Sequence, residues 1–83
     1  MQNTPIAKRL KEARVAAGLS QKLLGIESGI DPSSASARMN QYEKGTHVPS
    51  YAALRRIAKA LNLPTCYFYA EDDALADIIK NHK

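Results

Sequence analysis

Apolar residues recur along this chain every three to four positions, in short runs broken by glycine, proline and capping residues. Thr4-Pro5 is a start signal, a capping hydroxyl followed by proline at the first helical position. Ile6, Leu10, Ala13 and Ala17 follow at helical spacing, and Gly18 supplies a left-handed stop. Ser20 caps a second helix opened by Gln21 and Lys22; Leu24 and Ser28 share its inner face, and Gly29 ends it with Ile30 turned back to the core. Asp31-Pro32 repeats the start signal, with Ser33 or Ser34 as further caps, and Ala35, Met39 and Tyr42 form the inner stripe of a third helix that Gly45 closes. Residues 46–49 read as a loop. Ser50 then caps a fourth helix striped by Leu54, Ile57, Ala58 and Leu61, with Asn62 able to take the left-handed stop. Pro64-Thr65 begins a short fifth helix through Cys66, Tyr67, Phe68 and Tyr69, where the aromatic cluster predicts core packing. Glu71, Asp72 and Asp73 suit the start of a sixth helix, with Leu75, Ile78 and Ile79 as its stripe.

No segment alternates with period two for long enough to predict a strand. The expected fold is all-α, about five to six short helices with short connections. Its expected organisation is a body over residues 1–70 and a helical tail over 71–83. A chain of 83 residues suffices for one compact domain, with no room for a second, catalytic one. No apolar run is long enough to cross a bilayer and no secretory pattern opens the chain, so a cytoplasmic location is expected. Cys66 is the sole cysteine, which excludes an internal disulfide. Two histidines and one cysteine, widely spread, match no zinc-site spacing, so no metal or other cofactor is expected.

Charge sharpens this picture. The formal net charge is +4, but residues 1–62 carry ten Lys/Arg against four Asp/Glu, a net of +6, while residues 63–83 carry two against four, a net of −2. A basic body with an acidic tail points to a polyanionic partner for the body alone.

The stretch from Gly18 to Gly45 gives that partner a geometry. A helix-turn-helix unit needs a small residue on the inner face of its first helix, so that the second can cross closely. It also needs glycine in the turn, where positive φ is cheap, and apolar residues inside the second helix with short polar ones outside. Gly25 is the small residue, Gly29 the turn, Met39 and Tyr42 the inner face; Ser36, Arg38, Asn40 and Gln41 are the polar remainder.

Gly18-Leu19-Ser20-Gln21, Ser28-Gly29-Ile30, Tyr42-Glu43-Lys44-Gly45 and Pro49-Ser50, in that order, with Arg9-Leu10 before and residues 54–63 after, resemble the XRE family of regulators, the Cro and phage-lambda-repressor-like domains. The resemblance covers roughly residues 6–69. It implies a lambda-repressor-like DNA-binding domain with a central helix-turn-helix. It further implies that Gln21 binds a phosphate and braces the recognition helix, together with backbone N–H groups at Ser20 and Gln21. Ser36, Ala37 and Gln41 fall on base-reading positions, with Arg38 and Asn40 as alternates should the helix phase shift. Lys44, Thr46 and His47 fall on phosphate-contacting positions, and Lys22 joins them by charge. Arg9 and Glu43 resemble an Arg–Glu pair tying the first helix to the end of the recognition helix.

One departure stands out. About four more residues than the family pattern separate Gly29 from Gly45, close to one helical turn. They either lengthen the recognition helix at its N-terminal end or add a short turn before it, with Ile26 expected to pack beneath. The leading expectation is a DNA-binding regulator, most simply a repressor that occupies a near-palindromic operator as a homodimer on double-stranded DNA, with Leu75, Ile78 and Ile79 as the candidate dimer surface. The alternative is an interaction module, such as an antitoxin, whose acidic, apolar-striped tail grips a small protein partner. No nucleophile–base pair, carboxylate dyad or phosphate loop suggests an enzyme.

Overall fold

Three buried apolar residues of the first helix set the frame on which everything else is hung. In the computed structural model, which describes residues 4–81, α1 spans Ile6–Ala16 and buries Ile6, Leu10 and Ala13. Ala17, predicted as the end of that stripe, is instead the exposed C-terminal cap residue. Thr4 does not cap the helix either: Pro5 occupies the boundary position, its carbonyl accepting the Arg9 N–H at 3.0 Å, with no side-chain cap. Gly18 takes φ +73° and turns the chain into α2, Gln21–Glu27.

The predicted caps of α2 and α4 form. Ser20 Oγ accepts the Leu23 N–H at 3.0 Å, and Ser50 Oγ accepts the Ala53 N–H at 3.1 Å at the head of α4, Tyr51–Ala60. Each such cap contributes about 1 kcal/mol by satisfying an amide the helix cannot. Between them lies α3, Ala35–Lys44, whose Ala35, Met39 and Tyr42 are buried as the spacing requires. Gly45 closes α3 at φ +78°, with Thr46 N–H reaching back to the Gln41 carbonyl at 3.1 Å.

A 3-10 helix, Thr65–Tyr69, and α5, Asp73–Asn81, complete an all-helical fold; no strand occurs among the described residues. The core gathers Leu10, Leu24, Met39, Leu54, Ile57 and Phe68 from every element up to the 3-10 helix. Tyr67 packs edge-on against Phe68 with ring centroids 5.2 Å apart, whereas Tyr69, predicted to pack with them, is exposed.

The C-terminal helix meets this body differently from its predicted phase. Ala76 is buried and Ile79 packs against the core, but Leu75 and Ile78 face outward. The three-residue stripe is thus split across two faces. Arg9 supplies the polar strut: its side chain is buried, its Nε donates to the Ala70 carbonyl at 2.8 Å, and its Nη1 lies 2.8 Å from Asp73 Oδ1 and 3.2 Å from Glu12 Oε1. Burial disfavours the Arg9 charge, yet Asp73 and Glu12 more than offset it and raise its pKa. The hydrogen bonds from Arg9 and Lys8 in turn hold the Asp73 carboxyl below the usual carboxylate range.

Candidate nucleic-acid interface

The close crossing of α2 and α3 rests on one missing side chain. A Cβ built on Gly25 would stand 2.8 Å from the Ala35 Cβ and 2.9 Å from the Ala35 carbonyl oxygen, so only glycine lets the helices approach this far. Gly29, at φ +90°, provides the turn between them. At 100° per residue, burying Ala35, Met39 and Tyr42 throws Ala37, Asn40, Gln41 and Lys44 to the opposite side of α3. Ala37, Gln41 and Lys44 are exposed and Asn40 is half-buried. Ser36 and Arg38, also exposed, sit on the two flanks of that stripe.

The additional residues before α3 form a turn and do not lengthen the helix. Asp31 Oδ1 accepts the Ser33 N–H at 2.8 Å and its hydroxyl at 2.6 Å, and the Ser34 N–H returns to the Asp31 carbonyl at 2.9 Å. The two Ser33 bonds lower the Asp31 pKa. Ile26 is 38% exposed and is not sealed beneath the turn. The turn borders a crevice of about 330 Å³ against α4, lined in part by Asp31, Ser34, Arg38 and Arg56; Arg56 Nε donates to the Ser28 carbonyl at the end of α2 at 3.1 Å.

The Arg–Glu pair expected between Arg9 and Glu43 is not the one that forms. Glu43 pairs with Arg14, whose Nε and Nη2 reach its two carboxylate oxygens at 2.5 and 3.2 Å, while Arg14 Nη1 donates to the Leu19 carbonyl at 2.8 Å. Both side chains are largely buried, at 15% and 3% exposure. Arg14 comes five residues after Arg9, about 140° around α1, so the two leave the helix on different faces, and Arg9 is committed to Ala70 and Asp73.

Gln21 joins this network. Its Nε2 donates to Glu43 Oε1 at 3.1 Å and to Asn40 Oδ1 at 3.2 Å. Both of its amide hydrogens are therefore used inside the protein, so its side chain braces α3 but has no N–H left for a phosphate. Thr46 is spent similarly, its Oγ1 donating to the Gln41 carbonyl at 3.1 Å. Ser20 accepts its cap bond yet keeps its own hydroxyl hydrogen, and Lys22, Lys44 and His47 are exposed. Lys8, a basic residue of α1, is drawn to Asp73 at 3.1 Å. In the sequence Arg14 and Arg56 read only as basic residues, one in the last turn of α1 and one midway along α4; their partners were not legible there.

Among the described residues no helix is long and apolar enough to cross a membrane. The solved structure of the transcriptional regulator BswR is similar to this one, with a TM-score of 0.86 and 47% sequence identity over 90% of this chain and 74% of that one. No curated protein matches the chain. The model of a helix-turn-helix domain matches residues 5–66, across the glycine crossing, the turn and the braced third helix. The chain belongs to the helix-turn-helix domain family.

Proposed function

We propose that this protein is a sequence-specific DNA-binding transcriptional regulator of the XRE kind, acting in the cytoplasm as a repressor that occupies a near-palindromic operator. The observation that carries this reading is the outward stripe of α3. Ala37, Gln41 and Lys44 are exposed on it, and the helix is held from behind by the Gly25–Ala35 crossing and the Arg14–Glu43–Gln21 brace. A rigid helix with small and polar outward residues is what a major groove admits.

In this reading Ala37, Asn40 and Gln41 face base edges, with Ser36 and Arg38 reaching them from the flanks. Ser20, Lys22, Lys44 and His47 meet phosphates, as do the backbone amides at the start of α2. Gln21 and Thr46 serve to position α2 and α3. The activity is occupancy, with no bond made or broken. A single unit reads few base pairs, so two copies on successive major grooves, about 34 Å apart, complete the site. Leu75 and Ile78, at 47% and 68% exposure, form the proposed surface between copies. Ile79 drops out of it because it packs on its own core. The same face would serve a partner protein in an antitoxin-like module. Equilibrium sedimentation of the protein alone separates the two, since a self-association surface needs no second component.

The test is selection from a random duplex DNA library at two salt concentrations. Enrichment of a near-palindromic motif is expected, with affinity falling steeply as salt rises. Equal, sequence-independent retention of all duplexes would overturn the reading.

A further inference from the structure

Asn40 stands on the outward stripe of α3, half-buried beside α2, and a chain of hydrogen bonds with a fixed direction ends on it. The chain starts at Arg14, which donates through Nε and Nη2 to the two oxygens of Glu43. A guanidinium carries only donors and an ionised carboxylate only acceptors, so the direction cannot reverse at this point. Glu43 Oε1 then demands a donor from Gln21, which turns the amide nitrogen of Gln21 inward at 3.1 Å. The second hydrogen on that nitrogen demands an acceptor in turn, and Asn40 answers with Oδ1 at 3.2 Å. The Asn40 amide is thereby oriented: its oxygen faces Gln21, and Nδ2 with both hydrogens occupies the other branch of the side chain.

We propose that the Arg14–Glu43 pair, acting through Gln21, makes Asn40 a donor-only reader that selects guanine at one position of each half-site. This inference rests on the DNA-reading role proposed above and assigns one residue its base. An unrestrained asparagine reads adenine by pairing its oxygen with N6 and its nitrogen with N7. Here the oxygen is turned to Gln21; it keeps a second lone pair, but the branch left for a base carries the two N–H donors. Guanine presents two acceptors in the major groove, N7 and O6. Thymine presents one acceptor, adenine sets an N6 donor beside N7, and cytosine shows only a donor. Two donors therefore match guanine and oppose cytosine. Asn40 is the specificity-determining residue; Arg14, Glu43 and Gln21 are positioning residues.

The experiment compares motifs selected from a random duplex library by the wild-type protein and by Asn40→Asp. Aspartate keeps the side-chain shape and an acceptor for Gln21 but has no donor to offer. At one position per half-site the wild type should prefer guanine over cytosine by roughly 10- to 100-fold, and Asn40→Asp should lose that preference while the other positions keep theirs. The same motif from both proteins, or adenine at the position that responds to Asn40→Asp, would overturn the assignment and leave DNA reading intact. No enrichment by the wild type would overturn both. A second measurement needs no variant: in the free wild-type protein, both Gln21 side-chain N–H protons should exchange slowly by NMR and those of Asn40 at close to the solvent rate. The reverse order overturns the proposed orientation even if Asn40→Asp fails to fold.

Discussion

Gly25 lies so close to Ala35 that a methyl group on it would sit 2.8 Å from one carbon and 2.9 Å from a carbonyl oxygen. Because the oxygen belongs to the backbone, relief requires α2 and α3 to move apart. Gly25→Ala should therefore lower stability by about 1–3 kcal/mol, as overpacked sites do, despite the better helix propensity of alanine. It should also tilt α3 and weaken DNA binding in the fraction that remains folded. Urea unfolding and gel-shift titration on one sample measure both; an unchanged midpoint would mean that the crossing has slack.

The network around Glu43 makes a quantitative distinction between two arginines. Removing Arg14 strands a side chain that is 3% exposed, at a cost of about 3–5 kcal/mol. A double-mutant cycle on Arg14 and Glu43 should give a large coupling energy, while the same cycle on Arg9 and Glu43 should give close to none, since Arg9 bonds to Ala70 and Asp73. Equal coupling in both cycles would contradict the pairing seen.

That distinction marks where the sequence stops being legible. Caps at Ser20 and Ser50, the stop at Gly45 and the stripe of Ala35, Met39 and Tyr42 are local matters, decided by spacing and backbone conformation, and they were readable. So was the crossing at Gly25, because helix-turn-helix geometry asks for a small residue there. The partner of Glu43 was not readable. Arg9 and Arg14 lie on the same helix but about 140° apart around it, and which of them faces Glu43 depends on how α1 is set against α3. Nor was the phase of α5, where Leu75, Ile78 and Ile79 satisfy helical spacing, but Ala76, a small residue with a weak hydrophobic signal, sets the buried face. On the candidate interface, residue types pointed to α3, where Ala37, Gln41 and Lys44 are exposed, yet hydrogen-bond donors already spent at Gln21 and Thr46 could only be counted once the fold was in hand.

The Arg9–Asp73 contact ties stability to pH with a definite sign. Asp73 titrates lower in the folded chain than in the unfolded one, because the hydrogen bonds from Arg9 and Lys8 favour its charged form. Its contribution is present above the ordinary aspartate pKa of about 3.9 and is lost as pH falls through the lower, folded value. Asp73→Asn should thus be less stable than wild type at neutral pH, and the gap should close in the acid range below about 4. Chemical denaturation at pH 7 and over a series of lower pH values checks it; a gap that does not narrow with falling pH would assign the effect to packing of α5.

Phosphate and base contacts separate by their response to salt. Lys44 lies on the outward stripe at the end of α3, where a cation can neutralise one phosphate. Lys44→Ala should weaken binding on every sequence and reduce the slope of log affinity against log salt by about 1. Gln41→Ala should leave the slope alone and cost about 1–3 kcal/mol at one base pair only. Fluorescence anisotropy across a salt series, with the selected operator and a scrambled duplex, resolves the two. If Gln41→Ala weakens both duplexes equally, that residue positions the helix and does not read a base.

The two isoleucines of α5 make the self-association surface testable, because neighbours in sequence have opposite surroundings. Ile78 is 68% exposed, while Ile79 packs against the core. A charge on Ile78 remains in water in the monomer, so Ile78→Asp should leave thermal stability at low protein concentration almost unchanged. It should instead disrupt the dimer, where the carboxylate would have to leave water without a partner. Ile79→Asp should do the opposite, lowering the melting temperature at every concentration. Operator affinity should fall for Ile78→Asp because two half-sites are no longer engaged together. Sedimentation velocity over a range of concentrations provides the decisive reading. If Ile78→Asp sediments as the wild type does, copies of this chain meet through some surface other than α5.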